Sequence, residues 1–241
     1  MTANPTQKER NVENKGAAET ASSSGSKAWI AYVAPMALFM LYTALLEARF
    51  PGPYMWLYIG KVVLVMAALV VFRSVWKDIR FEARVLPMAI LVGVVVFIEW
   101  IALTPLTPEL SFLGKRAEFN PFQAIPDPAQ RGLFLAFRFF GLAVMVPIME
   151  ELFWRSFLLR YLTDPDYERL PLGAFSWTAF GIVAAAFGFV HPEWLPALLC
   201  AVAYGLLLKQ TRSLFACVVA HGVTNLALGI YVLMTGQWRY W

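Results

Sequence analysis

The chain has 241 residues, of which 59% are hydrophobic and 15% charged, and a formal charge of +4. Soluble domains carry about 45–50% apolar and about 25% charged residues, so the composition excludes an ordinary water-soluble globule. The basic residues flank apolar runs, and the positive charge therefore reads as membrane topology and not as a nucleic-acid surface.

Residues 1–26 are polar and end in Ser-Ser-Ser-Gly-Ser. Such a composition buries too little apolar surface to order itself and predicts a disordered cytoplasmic tail. It lacks the pattern of a signal peptide. Seven apolar runs follow, at 28–46, 54–72, 85–103, 132–159, 174–190, 194–208 and 214–234. Most approach the twenty residues or so that a helix needs to cross about 30 Å of hydrocarbon. The fifth and sixth are short and joined by His191-Pro192-Glu193, which brackets the count between six and eight. The expected fold is an all-α, polytopic transmembrane helical bundle of about seven spans, because only helices and closed barrels satisfy their backbone in lipid. The runs lack the two-residue alternation of barrel strands. The expected organisation is a tail (1–26), N-terminal spans with a long Pro-rich loop (27–131) and a C-terminal core (132–241).

Lys and Arg set the orientation. Lys8, Arg10, Lys15 and Lys27 in the tail, with Arg73, Lys77, Arg80 and Arg84 after the second run, predict a cytoplasmic N-terminus in a bacterial inner membrane. Cys200 and Cys217 lie inside apolar runs and read as small core residues. Tyr54, Trp56, Trp76, Trp100, Trp238, Tyr240 and Trp241 read as an interfacial aromatic belt. Lys61 and Arg138 are expected to snorkel to the interface, and Glu99 to sit near the headgroups beside Trp100.

The fourth run contains Val146-Pro147-Ile148-Met149-Glu150-Glu151-Leu152-Phe153-Trp154-Arg155. Ionised groups at membrane depth cost at least a few kcal/mol and usually face a bundle interior. Arg155 stands one helical turn beyond Glu151, where the two side chains meet, leaving Glu150 as the freer carboxylate. The chain has two histidines: His191 closes Phe187-Gly188-Phe189-Val190-His191, and His221 opens His221-Gly222-Val223-Thr224-Asn225. His221 and Asn225 share a helix face. A glutamate pair, two histidines and an Asn supply a base, proton carriers and hydrogen-bond donors, the parts of a hydrolytic site.

Glu-Glu-x-x-x-Arg, Phe-x-x-x-His and His-x-x-x-Asn, in this order, resemble the CAAX protease and bacteriocin-processing family of intramembrane proteases, which includes the type II CAAX prenyl endopeptidase. The Val-Pro-Ile-Met-Glu-Glu context is also similar to bacterial CAAX protease-related proteins of exosortase systems. The resemblance covers about 132–234. It implies a membrane endopeptidase in which Glu150 with His191 activates a water, and His221 with Asn225 donates to the oxyanion. Glu151 and Arg155 would hold the glutamate helix in register, and Phe187 would pack beside the site. Leu195 stands where prenyl-endopeptidase members often carry Asn. The resemblance implies no cofactor. A zinc site is the alternative, although no His-Glu-x-x-His pair is present. The implied partners are the lipid bilayer and a protein or peptide substrate, lipidated or not. The competing functions are a non-catalytic scaffold or immunity-type protein of this fold and a proton-coupled transporter, for which no internal repeat is visible.

Overall fold

The computed structural model describes residues 28–47, 49–50, 52–113 and 118–241. The expected tail at 1–26 lies outside the described residues. Seven helices carry the bundle: α1 (Ile30–Glu47), α2 (Tyr54–Val71), α3 (Leu86–Leu103), α4 (Pro128–Thr163), α5 (Trp177–Phe189), α6 (Trp194–Thr211) and α7 (Leu214–Thr235). All but α5 are long and apolar enough to span a bilayer. At 13 residues, α5 rises about 20 Å, short of the hydrocarbon thickness. The protein is an integral membrane, all-helical bundle.

Local chemistry sets the helix ends. Asp127 caps α4, its Oδ1 accepting from the Gln130 amide at 2.7 Å, with Pro128 in the first helical position. Gly236 ends α7 at φ +67°, the left-handed conformation that glycine adopts without a Cβ clash. Apart from the amphipathic start of α4, the helices show little separation of polar and apolar faces, so burial and not alternation separates core from lipid. On α3, Ala89, Gly93, Val96 and Trp100 turn inward, whereas Leu91, Val95 and Ile98 face outward. In water that outer surface would be an aggregation patch; in lipid it is the solvent-facing side.

The most extensive helix pair is α3 with α7. Gly93 permits it, because a Cβ there would stand 2.5 Å from the Ala220 carbonyl oxygen. Small residues let membrane helices approach to backbone contact. A second cluster ties the other elements together. Asp78, in the turn Arg73–Asp78 after α2, accepts from Tyr32 Oη of α1 at 2.7 Å and from Arg160 Nη2 of α4 at 2.9 Å, and also from Ser156 Oγ. All three donors meet a single buried carboxylate oxygen.

Several expectations are corrected here. Lys61 and Arg138 do not snorkel. Lys61 is buried and pairs with Glu47 at 2.6 Å. Arg138 is buried against the rings of Tyr58 and Trp241. Trp100 leaves the aromatic belt, being only 8% exposed. Both carboxylate oxygens of Glu99 are buried without a hydrogen-bond partner among the described residues. In each case one helix face meets a neighbour that a single-helix pattern does not reveal. Cys200 and Cys217 are buried free thiols, as expected.

Candidate active site

The site begins with a defect in α4. Its helix passes through two π-helical stretches, Gly141–Met145 and Leu152–Leu158, on either side of the segment Val146–Glu151. Pro147 has no amide proton, so the turn before it lacks a helix donor, and π-helical insertions are a common local solution. The consequence is visible across the interface. Asn225 Nδ2 of α7 donates to the Leu142 carbonyl at 2.9 Å. Gly222, on the same helix, lets the Ala143 carbonyl approach, since a Cβ there would lie 2.7 Å from that oxygen. The irregular turn of α4 is thus seated on the His221–Asn225 segment of α7.

Beyond that turn come the glutamates. Glu151 is fully buried, and its Oε1 accepts from Arg155 Nη1 at 3.2 Å and from His221 Nδ1 at 2.9 Å. The ion pair implied by the spacing of Glu151 and Arg155 is present, and it also holds a histidine of α7. The Arg155 guanidinium is 1% exposed and lies over the Phe187 ring at 4.6 Å and the Tyr204 ring at 5.5 Å. Cation–π contact and a carboxylate together offset the cost of burying that charge. Glu150 is buried as well, but its Oε2 meets no hydrogen-bond partner in the protein. Each of the two adjacent glutamates keeps a buried Oε2 without a partner, but Glu151 is locked in an ion pair through Oε1 and Glu150 is in none among the described residues.

His191 follows the end of α5. Its Nδ1 lies 2.8 Å from the Phe187 carbonyl, which can only accept, so this nitrogen carries the proton. In the neutral ring Nε2 then holds the lone pair. Phe187 stacks on the imidazole at 4.7 Å, and Trp100 of α3 meets its other aspect edge-on at 6.1 Å. Phe187 also packs against Trp154 at 5.6 Å. One phenylalanine thus joins Arg155 and Trp154 of α4 to His191.

Tyr204, Thr224 and Trp100 join the site without having been assigned to it from the sequence. Tyr204 packs against His221 at 5.5 Å and donates to Thr224 Oγ1 at 2.7 Å. Thr224 Oγ1 in turn lies 2.7 Å from the Gly93 carbonyl. Thr224 is one residue before Asn225 and three after His221, a placement that could have drawn notice. Tyr204 and Trp100 gave no signal beyond being aromatic residues in apolar runs. Among the described residues no three His, Cys, Asp or Glu side chains converge as a metal-binding set.

The buried Glu151–His221–Arg155 cluster, with Glu150 beside it and His191 across Phe187, spans α4 to α7. Residues 132–227 match the family described as Type II CAAX prenyl endopeptidase Rce1-like. The Rce1-like segment contains Glu150, Glu151, Arg155, Phe187, His191, His221 and Asn225, the residues that carry the resemblance in the sequence. It supports a CAAX-type intramembrane protease at the level of the family. Helices α1–α3, including Glu99 and Trp100, lie outside the match. No curated protein and no solved structure matches the chain.

Proposed function

We propose that this protein is an intramembrane endopeptidase that hydrolyses a peptide bond near the tail of a membrane-associated protein, using a water activated by Glu150. The observation that carries this reading is the contrast between the glutamates inside the Rce1-like segment. Glu151 is held through Oε1 by Arg155 and His221, whereas Glu150 has no hydrogen-bond or ion-pair partner among the described residues; a buried, unpartnered Oε2 is common to both. A carboxylate that no protein donor occupies keeps its oxygens available to take a proton from a bound water.

The water gives a proton to Glu150 as its oxygen attacks the carbonyl carbon, and the His191 Nε2 lone pair accepts the water's second hydrogen bond. The carbonyl π electrons move to oxygen. Asn225 Nδ2 has a second N–H beyond the one given to Leu142, and that group donates to the oxyanion. His221, its Nδ1 held by Glu151 Oε1, is the second oxyanion donor through Nε2–H. Collapse of the intermediate breaks the C–N bond, and Glu150 returns its proton to the leaving amine. The products are a carboxylate and an amine. The N-terminus lies on the cytoplasmic side in this reading.

Reconstituted protein is tested with peptides of several tail types, lipidated and not, with and without chelator. Cleavage that is lost in Glu150→Gln and indifferent to chelator supports the glutamate mechanism. Loss with chelator assigns a metalloenzyme. An absence of turnover with every peptide, in protein that folds as wild type, favours the scaffold reading.

A further inference from the structure

Tyr204 of α6 lies along α7 beside His221 and is tied to that helix at two points. Its backbone carbonyl accepts from Cys217 Sγ at 3.4 Å, one turn before His221. Its hydroxyl donates to Thr224 Oγ1 at 2.7 Å, three residues after His221. Between these ties its ring meets the imidazole, with centroids 5.5 Å apart and planes inclined by 34°. Cys217, His221 and Thr224 stand at i, i+4 and i+7, so all three share one face of α7. Tyr204 and Thr224 are both buried, and a buried hydroxyl is costly unless it finds a partner. Thr224 passes its own proton to backbone carbonyls: Oγ1 stands 2.7 Å from that of Gly93 and 3.1 Å from that of Ala220. Gly93 is also the residue whose missing Cβ lets α3 touch the Ala220 backbone. The run of donors from Tyr204 to Thr224 therefore ends on a backbone oxygen of α3, a helix outside residues 132–227.

His221 needs such support. Glu151 Oε1 holds its Nδ1 at 2.9 Å. One hydrogen bond fixes one point of a ring and leaves its plane free to swing about that point. Such a swing moves Nε2 and hardly moves Nδ1, so Glu151 alone does not aim Nε2–H. The Tyr204 ring, packed against the imidazole, closes off the swing. The same ring stands 5.5 Å from the guanidinium of Arg155, the other donor to Glu151 Oε1. We propose that Tyr204 is a positioning residue for the hydrolytic reaction: its hydroxyl, bonded to Thr224, sets the ring that holds the His221 imidazole with Nε2–H toward the oxyanion. This rests on the peptidase reading above, in which His221 is an oxyanion donor. Tyr204 acts through His221, and it brings the Gly93 backbone of α3 into the support of the site.

The test uses the full chain in reconstituted membranes, below the unfolding transition of every variant. Tyr204→Phe, which keeps the ring, and Thr224→Val should each lower kcat about tenfold with KM unchanged, since a misplacement of about 1 Å can cost about 10²-fold. The double variant should lose no more than either single one, because one hydrogen bond carries the effect. Thr224→Ser, which keeps a hydroxyl, should recover most of the rate that Thr224→Val loses. A second readout needs no substrate. His191 and His221 are the only histidines, so isotope labelling of the ring nitrogens reports both by solid-state NMR, and His191→Gln assigns them. The His221 ring signals should be single and sharp in wild type and broadened or split in Tyr204→Phe. Unchanged His221 signals in Tyr204→Phe overturn the proposal, whatever its stability, and so does a wild-type kcat in that variant. If wild type cleaves no peptide, the peptidase reading fails. The ring signals then decide the positioning role alone: broadening in Tyr204→Phe upholds it, and unchanged signals overturn it.

Discussion

His221 donates through Nδ1 to Glu151 Oε1 at 2.9 Å, across the interface of α7 and α4. The same oxygen accepts from Arg155 at 3.2 Å. Glu151 is therefore the joint between the two helices that carry most of the site, and the residue that fixes which histidine nitrogen faces outward. Glu151→Gln leaves Arg155 and the imidazole without their anion. Breaking a buried pair on one side costs about 3–5 kcal/mol. Thermal unfolding in detergent should show a large drop in midpoint. A midpoint within a degree of wild type would mean that the cluster contributes no net stability.

Glu150→Gln is expected to behave in the opposite way. No ion pair is lost, because Glu150 Oε2 has no protein partner, and removal of a buried charge should leave stability unchanged or slightly raised. Cleavage should fall by about 10²–10⁴-fold, the usual worth of a general base. Side-by-side unfolding and peptide-cleavage assays of the two glutamine variants separate a structural glutamate from a catalytic one. If Glu150→Gln unfolds as readily as Glu151→Gln, the assignment of distinct roles is wrong.

Asn225 has a structural duty that complicates its reading as an oxyanion donor. Its Nδ2 bonds the Leu142 carbonyl at 2.9 Å, in the turn disturbed by Pro147. Asn225→Ala orphans that carbonyl at a cost of about 1–3 kcal/mol. An additional fall in kcat of about 10²–10³-fold, measured below the unfolding transition, is expected from loss of an oxyanion contact. A variant that is destabilised but turns over at the wild-type rate would leave Asn225 a brace for α4 and nothing more.

Asp78 carries no family motif yet should matter as much to the fold as any site residue. It accepts from Tyr32, Ser156 and Arg160, which belong to α1 and α4. Asp78→Asn removes the anion that neutralises buried Arg160, and a loss of about 3–5 kcal/mol is expected. Hydrogen exchange should show the start of α1 and the end of α4 losing protection together. Protection lost in only one of them would argue against a shared clamp.

Much of this protein is legible in its order of residues. Apolar runs of span length, separated by polar turns, determine an all-helical membrane bundle, because lipid offers no other partner for backbone amides. The i, i+4 spacing of Glu151 and Arg155 determines their ion pair, since both side chains lie on one helix. The order of the Glu-Glu, His and His-x-x-x-Asn motifs carries the resemblance to the family that residues 132–227 match. Tertiary structure decided the rest. That Glu151 and not Glu150 meets His221 depends on how α4 and α7 are rotated against each other. That Lys61 and Arg138 turn inward, and that Trp100 covers His191, depends on which neighbour each apolar face meets. In an aqueous protein, periodicity reveals the inward face. In lipid both faces are apolar, so close packing through Gly93 and Gly222 selects it, and that selection exists only between helices.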